Sequence, residues 1–199
     1  MRTPQRAIAH ALPRRALLLG ALTCALLLLL GGGPPGARSQ EVFREYDIKA
    51  AYLYNLPQFI EWPDDAVDSR FLTLCIVGHD PFGPVLDFLA GKQAEGRPLR
   101  VRRLESGAEP AGCPVVFVSA SEAGRMAPLL RSLYGAAVLT VGETDDFTRL
   151  GGVVRFFVGE ERVHLEINIT AAQSAGLSIS AKLLSLASVV RYPPPGERT

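Results

Sequence analysis

The 199-residue sequence is poor in residues that do covalent and redox chemistry: it has three cysteines, three histidines, two methionines and one tryptophan. No CxxC pair and no His/Cys cluster occurs, which argues against structural zinc and thioredoxin-type chemistry. The sequence also lacks a GxSxG elbow, a phosphate-binding Walker loop and an HExxH helix, so the common hydrolase, nucleotide-binding and metalloprotease signatures are missing. Charge of one sign is not in excess either: 21 Lys and Arg stand against 20 Asp and Glu. We expect no catalytic residues, no metal and no cofactor.

What the sequence does have is a polarised N-terminus. Arg2, Arg6, Arg14 and Arg15 form a basic segment with no acid, followed by an unbroken apolar run from Ala16 to Leu30. That length suits the core of a secretory signal and is short for a membrane span of about 20 residues. The Gly31–Gly36 segment breaks the run, and Ala37 and Ser39 place small residues at −3 and −1 of a cleavage site before Gln40. The competing reading is an uncleaved anchor whose flanks snorkel. Cleavage removes five basic residues and no acid, leaving a domain of net charge −4. Such a domain has no global attraction to nucleic acid, and nothing in it spans a membrane. Cys24 leaves with the signal, so Cys75 and Cys113 remain. In an oxidising compartment an even pair reads as one disulfide, closing a loop worth roughly 3–4 kcal/mol of chain entropy; the alternative is two buried thiols.

The following residues read as one α/β domain over 40–192 with a Pro-rich, disordered tail at 193–199. Apolar spacing predicts a helix from Val42 to Ile60, ended by Pro57, with Trp62 to Asp65 as a turn. Strands follow at Phe71–Val77, Leu99–Leu104, Val115–Val118 and Ala137–Val141. Between them lie a helix over Phe82–Leu89, with Asp80 as cap and Pro81 first, and one running from Ser119 to near Tyr134. Gly152–Val158 and Arg162–Ile169 form a hairpin through Gly159-Glu160-Glu161. Helices are predicted over Ala171–Ala175 and Ser180–Val190. Strand–helix alternation followed by a hairpin predicts a mixed β-sheet with helices on both faces and a C-terminal antiparallel hairpin.

Two groups of residues are candidates for binding. His79, Asp80, Ser119, Ser121 and Glu143 follow predicted strands, on the rim where α/β sheets take ligands. The same residue types also serve as helix caps and turns. Arg97, Arg100, Arg102 and Arg103 form the one basic cluster, either a partner-facing patch or a charged edge strand that resists aggregation. His164 falls on the wet face of the hairpin and reads as a surface residue.

The segment Tyr46-Asp47-Ile48-Lys49-Ala50-Ala51-Tyr52-Leu53-Tyr54-Asn55, with Phe59-Ile60-Glu61-Trp62-Pro63, resembles the opening of the YfiR family. The likeness continues through Leu74–Gly78, Asp80–Gly83, Gly96–Leu99, Cys113, Val116–Ser119, Leu139–Glu143, Glu166–Asn168 and Gly176–Leu184. It implies a periplasmic, non-enzymatic regulator of a Gram-negative bacterium. Such proteins bind the periplasmic sensing domain of an inner-membrane diguanylate cyclase, hold it inactive and so restrain cyclic di-GMP and biofilm. Homodimers occur among relatives. Cys75 and Cys113 match one family disulfide; a second pair found near the late hairpin in some members is absent here, and redox control through it with it. The alternative function is a small-ligand-binding accessory module for a sensor kinase or an outer-membrane receptor system. N-terminal sequencing of the exported protein is expected to read from Gln40; a start at Met1 would establish the retained anchor instead.

Overall fold

A six-residue run that is apolar on both faces has to be covered twice, and in the computed structural model this requirement organises the domain. The structure describes residues 35–63 and 70–195; residues 1–34 of the predicted signal, Asp64 and Asp65 of the predicted turn and the last four residues of the tail lie outside them. The chain divides into residues 1–41 and 42–199, and the account below concerns the second unit. Helix α1 (Pro35–Asn55) enters it at Val42, and β1 (Ile60–Glu61), β2 (Leu72–Val77), α2 (Pro84–Leu89), β3 (Gln93–Ala94) and β4 (Arg97–Leu104) follow. Next come β5 (Val115–Val118), α3 (Met126–Leu133), β6 (Leu139–Gly142), β7 (Val154–Gly159) and β8 (Arg162–Asn168). The chain finishes with α4 (Ile169–Ser174), β9 (Ser178–Ile179), α5 (Ala181–Leu184) and β10 (Ser188–Val190).

Eight strands form one mixed sheet in the order β10-β8-β7-β6-β5-β2-β4-β3, and β1 pairs antiparallel with β9 in a second, two-stranded sheet. The run β4-β2-β5-β6-β7 is parallel throughout. The β7–β8 hairpin adds an antiparallel strand, and β10 returns parallel to β8. All six residues of β2 are buried. Alternate side chains divide between two cores, as the strand period of two requires. Leu72, Leu74, Ile76, Val115, Phe117, Leu139 and Val141 join Ala50 and Leu53 of α1 and Leu86 of α2. Cys75, Val77, Val116 and Val118 join Met126 and Leu130 of α3 on the opposite face. Helices therefore cover both faces, as the alternating pattern predicts. Each fully buried Leu, Ile or Phe contributes about 1.5–3 kcal/mol, so β2 and its neighbours carry much of the stability.

Several boundaries differ from the sequence reading, each for a local reason. Helix α1 starts at Pro35, a favourable first residue, and stops at Asn55; Pro57 lacks an N–H and the chain tightens into a 3-10 turn, Leu56–Phe59. Asp80 does not cap α2. Its carboxylate accepts from the Phe82 N–H at 2.7 Å, and α2 begins at Pro84 after Gly83, whose φ of 54 suits glycine. Ser119 caps as expected, accepting from the Ser121 N–H, but the first turns are 3-10 (Ala120–Arg125) and α3 proper starts at Met126. Strand β4 starts at Arg97, two residues before Leu99. The largest correction is at the C-terminus: the predicted helix Ser180–Val190 holds only to Leu184. Ser188, Val189 and Val190 instead pair with Glu166, Ile167 and Asn168, because a β-branched segment beside the open edge of β8 gains a backbone ladder. The hairpin forms as predicted, with Glu160 and Glu161 at φ 51 and 60 where Asn-Gly is usual.

One buried amide joins the C-terminal elements. Asn168, 1% exposed, accepts at Oδ1 from the N–H groups of Thr170, Ala171 and Tyr192, and its Nδ2 donates to the Thr148 carbonyl at 3.0 Å. Asn168→Ala leaves these groups unpaired and is expected to cost about 2–4 kcal/mol, read as a lower midpoint in urea unfolding. Asn168→Asp keeps the acceptor and is expected to fall between the two.

Candidate functional site

The predicted rim residues all lie at the carboxyl ends of the parallel strands, but the structure does not gather them into one site. His79, Ser119 and Ser121 do come together. Ser121 Oγ accepts from the His79 N–H at 3.0 Å and lies 3.2 Å from Ser119 Oγ, so the loops after β2 and β5 are sewn to each other. Gly78 between them has φ +86, and a Cβ there would sit 2.5 Å from Ser121 Oγ. Asp80 turns away to accept from Arg103 Nε at 2.7 Å. Glu143 bonds in the opposite direction, to helix α1.

That second contact engages Glu143. Lys49 is 3% exposed, and its Nζ lies 2.6 Å from Glu143 and 2.5 Å from Glu45. The Tyr46 hydroxyl donates to the same Glu143 carboxylate at 3.2 Å. A buried ammonium is tolerable only when paired in this way. The Tyr46 ring meets Phe82 edge-on at 5.6 Å, and Phe82 meets Phe117 at 4.7 Å, so aromatic packing continues from the helix into the core. Sequence reasoning missed Lys49. Its signal was a lysine one residue before Ala50, inside the apolar stripe of Tyr46, Ala50 and Leu53.

The four arginines of β4 are individually engaged. Arg97 pairs with Glu95, Arg100 stacks on Phe71 at 3.9 Å, and Arg102 donates to the Ala111 carbonyl at 2.9 Å. Arg103 pairs with Asp80 and Asp87. Cys75 and Cys113 are disulfide-bonded, Cα atoms 5.9 Å apart, and buried against Val77, Val116 and Met126.

The open apolar feature lies elsewhere, between α1, β8 and α5. A groove of about 400 Å³ is lined by Ile48, Tyr52, Phe59, Val163, Leu165, Leu183 and Leu186, with Asn55 and His164 as polar groups. Ile48 is 47% and Leu186 71% exposed at its margins. His164, expected on the surface, is half-buried: its ring stacks on Phe157 and its Nε2 lies 2.9 Å from the Gly159 carbonyl. Among the described residues no group of three His, Cys, Asp or Glu is placed to hold a metal ion.

Burial, with the Glu143 carboxylate beside it, pushes the Tyr46 phenol well above its ordinary value of 10.0. The phenol therefore stays protonated in the fold where it ionises in the unfolded chain. Its contribution is complete below about pH 10 and is lost as pH rises further. Urea unfolding across that range is expected to show stability falling with pH, and a shallower fall in Tyr46→Phe.

Comparison with known proteins agrees with this architecture. An ABC domain in complex with L-Trp from Streptococcus pneumoniae superimposes with a TM-score of 0.50 at 10% identity, over 73% of this chain and 60% of that one. A conserved domain protein from Vibrio cholerae O1 biovar El Tor gives 0.50 at 13% identity, over 72% and 59%. The chain spans about three fifths of each, and at these identities the likeness is one of fold. Residues 46–188, which carry residues 46–55 of α1, both cores, the disulfide and the groove, match the sequence profile described as YfiR/HmsC-like; the chain belongs to the YfiR/HmsC-like family.

Proposed function

We propose that this protein is a non-enzymatic periplasmic regulator that binds the periplasmic sensing domain of an inner-membrane diguanylate cyclase and holds it inactive. Membership of a regulatory family over residues 46–188 carries this reading. The apolar groove between α1, β8 and α5 supplies a contact surface of the right character, since interface cores are apolar and shaped as pockets. It is favoured over the basic cluster, whose arginines are each committed to local partners. It is favoured over the rim because Tyr46 and Lys49 engage Glu143 there. Repression requires only that the protein bind the inactive state of its partner better than the active one. Among the described residues no helix is long and apolar enough to cross a membrane.

Deleting the gene is expected to raise cyclic di-GMP, and unchanged levels would count against the reading. Ile48→Asp and Leu186→Asp place charge at exposed margins of the groove and should change stability by no more than about 0.5 kcal/mol. Both are expected to lose the cyclase in pull-downs from membranes. Recovery of a sensor kinase in place of a cyclase would reassign the partner, and full recovery of the cyclase by both variants would move the interface elsewhere.

A further inference from the structure

Strand β2 lies between β4 and β5, and the chain leaves it first toward one neighbour and later toward the other. Sheets of this order have a crevice outside the carboxyl ends of the strands where the winding reverses. Here a cavity of about 180 Å³ opens there, lined by Gly107 and Glu109 from the loop after β4, Glu122 and Arg125 from the 3-10 turns after β5, and Ser132 from α3.

Glu122 is the unusual member. It is 2% exposed and faces this cavity. Its backbone N–H bonds the Ser119 carbonyl at 3.0 Å, but no donor or cation among the described residues engages its carboxylate. An ionised carboxyl in such a position is costly unless something pairs with it. The loops nonetheless make room for it: a Cβ at Gly78 would lie 2.8 Å from Glu122 Oε1. At Gly107, with φ +79, a Cβ would overlap the Arg125 guanidinium. Glycine therefore stands against each of these two charged side chains, and Gly107 itself lines the cavity. Glu109 and Arg125 are exposed and have no ion pair among the described residues, and Glu122 and Arg125 do not pair with each other.

We infer that this cavity is a binding site for a small molecule carrying an ammonium group, which the Glu122 carboxylate receives with Glu109 at the mouth. The donor set discriminates against a divalent cation, which needs several oxygen ligands, whereas an ammonium is satisfied by one or two carboxylates. Arg125 stands ready for an anionic group on the same molecule, so the site suits a simple amine or a zwitterion of amino-acid type. The volume equals that of about six water molecules, which limits the ligand to a compact one. This site is separate from the α1–β8–α5 groove, and the inference does not depend on the regulatory reading.

Ethanolamine, putrescine and L-alanine are the probes, titrated calorimetrically into the purified protein, with lactate as the control lacking an ammonium. At least one of the three is expected to bind and lactate is not. Glu122→Gln is expected to weaken that binding by about tenfold or more, as loss of a charge-assisted contact does. Weakening of L-alanine alone by Arg125→Ala identifies a zwitterion; unchanged affinities in that variant identify an amine. Amide shifts in the unsubstituted protein provide a readout independent of how well the variant folds, and they are expected at Gly78, Gly107 and Glu122. The inference is overturned if none of the three binds, if Glu122→Gln binds as tightly as the parent, or if the shifts fall in the groove instead.

Discussion

Burial of β2 on both faces is the constraint on which the rest of the structure depends. A strand with Leu72, Leu74 and Ile76 on one side and Cys75 and Val77 on the other has no face it can leave to water. It needs a neighbour on each edge for its backbone and a helical layer on each face for its side chains. The crossover through α2 returns β4 to one edge of β2, the loop after β4 brings β5 to the other edge, and the crossover through α3 returns β6 beside β5, so that α2 and α3 lie against opposite faces. The two cores follow from the parity of one strand.

Helix α1 then does two jobs with two faces. Tyr46, Lys49, Ala50 and Leu53 recur at helical spacing and turn toward the sheet, where Lys49 meets Glu143 and Tyr46 meets Phe82. Ile48, Ala51, Tyr52 and Asn55 recur on the adjacent stripe and line the groove with β8 and α5. The helix that binds Glu143 is thus the helix that builds the open surface. On the first stripe the paired ammonium of Lys49 engages the Glu143 carboxylate, while the second stays open as the groove wall.

The architecture was legible in the sequence because it rests on periodicity. The buried strands announce themselves as short apolar runs, and the hairpin by its turn and alternation. What was not legible depended on neighbours far away in sequence. β10 reads as a continuation of a helix until the free edge of β8 is known, and the open edge decides the matter. Asp80 and Pro81 have the chemistry of a helix start, but Arg103, 23 positions on, claims the carboxylate. The rim residues were correctly placed at strand ends, as their small and polar types imply. Their division into a sewn pair of loops, a turn and a helix clamp is a property of three-dimensional pairing. Glu122 gave no signal, because an acid within two irregular turns has no periodicity to violate.

The disulfide has a mechanical corollary. Cys75 lies within β2 and Cys113 just before β5, 38 positions apart, and the segment between them contains α2, β3 and β4. Tension applied at the chain ends passes from β2 to β5 through the sulfur bridge and never reaches that segment. The whole β4 side of the sheet, with its arginines, is a load-free annex. Pulled to full length, the oxidised chain falls short of the reduced one by about 130 Å, the extended length of the bypassed loop.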